Sequence, residues 1–164
     1  LEQRMEAKES ARADELWHDL RDRGVSGPLF EAYRAMILAR TQGREAGVAV
    51  LDPLVAAHPG YVPLLHLKGV LLLETRDFTG AVPVLREAAH LSGNRTDITF
   101  CLACALAGSG QAEEAMILLN TLAAREPGRL LHMLQLEASA LDDLRLRPEY
   151  SDLIDRLRAP PPAP

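Results

Sequence analysis

Gly110-Gln111-Ala112-Glu113-Glu114-Ala115, continuing as Met116-Ile117-Leu118-Leu119, is the stretch that decides the fold. A glycine gives way to a polar opening, then to small and large apolar residues three and four positions apart. That is the pattern of a helix beginning just after a tight turn. The same register steps back along the chain at a constant interval of about 34 residues, from Ala115 to Ala81 and then Gly47.

Other columns agree with that register. Ala35, Gly69 and Ala103 form a second column of small residues, and Leu38, Leu72 and Leu106 a large apolar one. Leu51, Leu85 and Leu119 form another, followed by Leu54, Ala88 and Leu122. Pro59 and Pro127 close the first and third units, with Gly93 in the equivalent place in the second. A small side chain lets a neighbouring helix approach, and a leucine beside it fills the space.

These columns resemble the tetratricopeptide repeat family, a helix–turn–helix array. The resemblance covers Pro28 to Arg129 as three repeats, 28–61, 62–95 and 96–129. The third is the clearest. The first departs most, with Gly47 in place of the usual alanine and Glu31 and Arg34 at normally apolar sites. The resemblance implies an all-α fold, a right-handed α–α superhelix of about three repeats with capping helices at both ends. First helices are expected near 28–42, 60–75 and 96–109, and second helices near 44–58, 78–91 and 111–125. Gly43 and Gly110 suit the turns within repeats, where a left-handed residue is needed. Pro53 and Pro83 fall inside second helices, where each removes a backbone donor, so a kink or a delayed start is expected.

The flanks read differently. Residues 1–24 form a charged N-terminal capping or linker helix with a narrow apolar stripe at Ala13, Leu16, Trp17 and Leu20. Exchange of this helix between protomers is the alternative. Residues 130–158 read as C-terminal capping helices. Leu130–Asp142 is a fourth first-helix, covered by Pro148–Arg158 through Tyr150, Leu153, Ile154 and Leu157. Residues 159–164 are a Pro/Ala-rich tail.

The formal net charge of −5 argues against a nucleic-acid partner, since such domains carry a basic excess. No apolar stretch reaches the ~18–20 residues of a membrane span. Only Lys8 and Lys68 are lysines; the arginine bias, with abundant Ala, Leu, Gly and Pro, points to a GC-rich bacterial genome. The expected compartment is the cytoplasm, although the first residue is not Met, and a fragment could have lost a signal or anchor.

Little in the order of residues carries catalytic chemistry. Cys101 and Cys104 make a CxxC within a predicted helix, without the preceding strand of a thioredoxin-like site. A zinc site would need two further ligands, and the five histidines supply no pair. Packing cysteines are the preferred reading, with a redox switch as the alternative. His58 and His90 fall at helix ends, where a cationic ring suits the dipole. There is no phosphate-binding glycine loop, and no cysteine–histidine pairing can be argued from spacing. A catalytic site, a cofactor and a bound metal are therefore not expected.

The family resemblance implies that the first helices line a concave groove. In register, this groove takes Ala32, Met36 and Ala39 from the first repeat and His66, Val70 and Leu73 from the second. The third contributes Phe100, Cys104 and Ala107, Leu134 and Ala138 extend the row, and Arg40, Glu74 and Gly108 stand at its edge. Met36 and Val70 occupy positions where carboxylate-gripping members carry Asn, so the groove is apolar. The expected function is protein–protein interaction: an adaptor, assembly or regulatory scaffold holding a peptide or helix of a partner. A chaperone-like holder of a secreted subunit and a self-associating dimerisation domain are the alternatives.

Overall fold

The computed structural model describes residues 2–136 and 140–159, with side chains described from residue 11. Among these residues every regular element is a helix. In chain order they are α1 (Glu2–Asp22), α2 (Pro28–Thr41), α3 (Arg44–Ala57), α4 (Val62–Glu74) and α5 (Phe78–Leu91). Then come α6 (Thr96–Gly108), α7 (Ala112–Arg125), α8 (Pro127–Leu136), α9 (Asp142–Arg145) and α10 (Pro148–Arg158). Helices α2 and α3, α4 and α5, and α6 and α7 pack as antiparallel pairs, and each pair packs on the next through α3 with α4 and α5 with α6.

The small-residue columns are the points of closest approach. Ala35 and Ala103 are fully buried, and so are Ala81 and Ala115 on the second helices. At Gly69 a Cβ would come within 2.3 Å of Leu85 Cδ2, so a larger residue would force the buried Leu85 side chain to shift. Leu51, Leu85 and Leu119 fill the spaces beside them with no exposure.

The turn inside each repeat needs one residue with positive φ. Gly110 supplies it in the third repeat, at +83°. In the second repeat the equivalent residue is Arg76, at +62°, a left-handed conformation that costs a side-chain-bearing residue about 1 kcal/mol or more. A glycine search therefore finds one of these turns and overlooks the other.

Two local expectations need correction. Pro53 and Pro83 delay neither helix: α3 and α5 begin at Arg44 and Phe78 and run through the prolines. The packing of the pair outweighs one lost backbone bond. Nor is Leu130–Asp142 one helix. Helix α8 starts at Pro127, where a residue without an N–H suits the first turn, and is described to Leu136. A turn at Ala140–Leu141 then leads to the separate α9.

The C-terminal helices close the stack. Tyr150 and Leu153 of α10 are buried, and α10 packs on α7, α8 and α9. Its amphipathic stripe covers apolar surface that α7 and α8 would otherwise expose. At the other end α1 packs on α2. Trp17 is the latch. It is buried, stacks on Phe30 with ring centroids 5.2 Å apart, and donates from Nε1 to the Phe30 carbonyl at 3.3 Å. The guanidinium of Arg34 lies 4.8 Å from the indole centroid and pairs with Asp14, so Arg34, at a normally apolar site, serves to hold α1.

Candidate binding surface

The first helices lie side by side, α2 on α4 and α4 on α6, so their residues form rows across the stack. Exposure falls steeply along those rows. Met36 is 40% exposed, Val70 is half-buried, and Cys104 is 1% exposed. Ala39 and Leu73 are half-buried, whereas Ala107 is buried. Arg40 and Glu74 are exposed at the edge, and Gly108 is half-buried. The row with Ala32, His66 and Phe100 is accessible at His66 and buried at both ends.

Phe100 and Cys104 therefore do not line an open surface, contrary to the expectation from register, and neither does Ala32. Helix α9 packs on α6, and Ala140, Leu141 and Leu144 join the same apolar core as Phe100 and Cys104. The closing segment thus packs on the helix whose face was expected to be open. Leu134 is buried as well, and Ala138 lies outside the described residues. The repeat period carries no information about this cover, because the closing segment stands outside the period.

An open apolar surface lies at the other end of the described residues. Between α1 and α2 is a cleft of about 480 Å³, lined chiefly by Leu16, Leu20, Phe30, Tyr33, Met36 and Arg40, with Trp17 behind. Leu16 is 56% and Tyr33 55% exposed, large apolar area left in contact with water. Met36 and Arg40 were expected at the binding surface; Leu16, Leu20, Phe30 and Tyr33 were not. The stripe on α1 was visible in the sequence, but its pairing with α2 across a gap is a tertiary fact.

A second feature lies between α4 and α6. The Sγ of Cys101 is 3.8 Å from Nε2 of His66. Burial holds the His66 pKa below its usual value; the nearby Asp97 carboxylate opposes that shift, and Arg95 adds to it. Burial pushes the Asp97 carboxyl up, but hydrogen bonds from Arg95 and from the Ile98 backbone, with their charge partners, hold it below the usual carboxylate range. Arg95 donates to both Asp97 oxygens, at 2.6 and 3.2 Å. Among the described residues no group of three His, Cys, Asp or Glu side chains is arranged to hold a metal ion. No described helix is long and apolar enough to cross a membrane.

Comparison with known proteins agrees with this architecture. The family described as Tetratricopeptide repeat matches residues 72–138. No curated protein matches the sequence. Among solved structures, the fold is similar to that of MamA 41-end from Desulfovibrio magneticus RS-1. The TM-score is 0.66 and the identity 17%, over 96% of this chain and 97% of that one. A MamA RS-1 ArsTM double mutant gives a TM-score of 0.69 at 16% identity, covering 94% of this chain and 92% of that one. MamA MSR-1 C2 gives 0.62 at 16%, covering 94% and 98%. At this identity the likeness speaks for the fold alone. With the 34-residue columns and the stacked helix pairs, residues 72–138 are similar to the tetratricopeptide repeat family, and the chain shares the fold of these structures.

Proposed function

We propose that the chain is a scaffold that holds an apolar segment of another polypeptide in the cleft between α1 and α2. From there the segment runs onto the half-buried row of His66, Val70 and Leu73. One observation carries this reading: the exposed large apolar side chains Leu16, Tyr33 and Met36 gather around a cleft of about 480 Å³. A cleft of that size accommodates a few side chains of a helix or strand, and burial of such a cluster is the usual centre of an interface. Arg40 at the rim supplies a cation for an acidic residue flanking the segment.

The test starts with capture of partners by the full chain and continues with titration calorimetry. Tyr33→Asp and Met36→Asp place a carboxylate where the apolar ligand sits, and each is expected to weaken binding at least tenfold with the circular dichroism spectrum unchanged. Val70→Asp should weaken binding less, being at the end of the footprint. Glu87→Lys, on the exposed face of α5, should do little. Normal binding by folded Tyr33→Asp and Met36→Asp, with loss in Glu87→Lys, would move the site to the second helices.

A further inference from the structure

Helix α6 is the most enclosed element of the stack. From Ile98 to Ala107 every residue is buried except Cys101. Asp97, four residues earlier and so on the same face, is half-buried. The opening in α6 is thus occupied by a carboxylate and a thiol, and the imidazole of His66 reaches it from α4 with Nε2 3.8 Å from the sulfur. Cys104, at the same helical spacing in the CxxC, is enclosed in the core. The two thiols therefore differ in exposure, and the outer one lies beside the His66 imidazole.

We propose that Cys101 is a hydroperoxide-reactive thiol, with His66 as the base that accepts its proton and Asp97 as the group that stabilises the imidazolium formed. Packing alone would be served by a small apolar residue; it gives no reason for a thiol, an imidazole and a carboxylate to share the one opening in a buried helix. Burial disfavours the imidazolium at rest, so the His66 ring is neutral before the step and takes the proton only as the sulfur attacks. Asp97 faces it with a charge that favours the protonated ring. Arg95 opposes that effect but is engaged by the Asp97 carboxylate.

The step balances. The sulfur of Cys101 attacks one oxygen of the hydroperoxide as His66 takes the thiol proton. An S–O bond forms and the O–O bond breaks. The departing oxygen receives the proton from His66 and leaves as water or an alcohol. The cysteine, oxidised to sulfenic acid, and the peroxide, reduced, account for two electrons, and a thiol reductant restores the starting state.

The experiment exposes the full folded chain to limiting hydrogen peroxide, traps sulfenic acid with dimedone, and locates the adduct by peptide mass spectrometry. The adduct is expected on Cys101, at a rate at least about tenfold above that of N-acetylcysteine, with Cys104 unmodified. His66→Gln should slow trapping at least tenfold, and Cys104→Ala should leave it unchanged. A rate equal to that of the free thiol, equal labelling of Cys104, or unchanged trapping in folded His66→Gln would each overturn the proposal.

Discussion

Helices α2 and α6 occupy equivalent places in the repeat and have opposite fates. Helix α2 buries Ala32 and Ala35 and leaves Leu29, Tyr33 and Met36 substantially exposed. Helix α6 buries ten of its thirteen residues. Its neighbours on one side are α5 and α7, and α9 packs across it as well. Helix α2 has α3 behind it and beside it α1, a largely polar helix held through Trp17. In a stack where each unit touches only its neighbours, enclosure depends on what lies next to a unit, and the two ends of this chain are finished differently. Helix α2 keeps Tyr33 and Met36 in contact with water, while α6 is enclosed in the core.

The largest effects should come from the closed end. Leu38 and Leu106 share a column, but Leu38 is half-buried and Leu106 has no exposure. Leu106→Ala is expected to cost about 2–5 kcal/mol, the usual range for a cavity in a tight core. Leu38→Ala should cost about 1 kcal/mol or less, since part of that side chain is already in water. Urea denaturation of both variants checks the contrast, and equal losses would erase it.

Next comes overpacking of the junction between α6 and α7. Ala115 is fully buried, and Ala115→Trp should destabilise by at least about 1–3 kcal/mol. Melting like the unaltered chain would mean that the small-residue column is not a point of close approach.

A smaller and more local effect is expected at the open end. Trp17→Ala removes the stack on Phe30 and the bond to its carbonyl, so α1 should detach while the rest of the array stays folded. Hydrogen exchange should show lost protection in α1 and unchanged protection in α6. Loss spread evenly through the chain would show that both ends belong to one cooperative unit.

The smallest effect concerns pH. The folded state holds the His66 pKa below its unfolded value of 6.5, so the unfolded chain binds this proton more readily. The His66 contribution is fully present above about 6.5, is lost as pH falls toward the lowered folded value, and stays lost below it. His66→Gln should flatten the stability profile across that window, measured by denaturation at a series of pH values. An unchanged slope would show that the burial of His66 does not govern this region.

Period and residue size were enough to specify the helix pairs. Gly47, Ala81 and Ala115 recur at fixed spacing because two helices must approach at the same height in every repeat, a local requirement written into each copy. The same reasoning makes α10 legible, since Tyr150, Leu153 and Leu157 lie on one side of an amphipathic turn. Accessibility of the first-helix faces is of another kind. Phe100 and Cys104 stand in register with His66 and Val70, yet they are enclosed with Leu141 and Leu144 from a segment outside the repeat. The cleft at Leu16, Tyr33 and Met36 and the meeting of His66 with Cys101, far apart in the chain, were settled by packing between elements. A periodic pattern states which side of a helix meets its own partner; what covers the remaining side depends on non-local contacts, and only the assembled stack decides it.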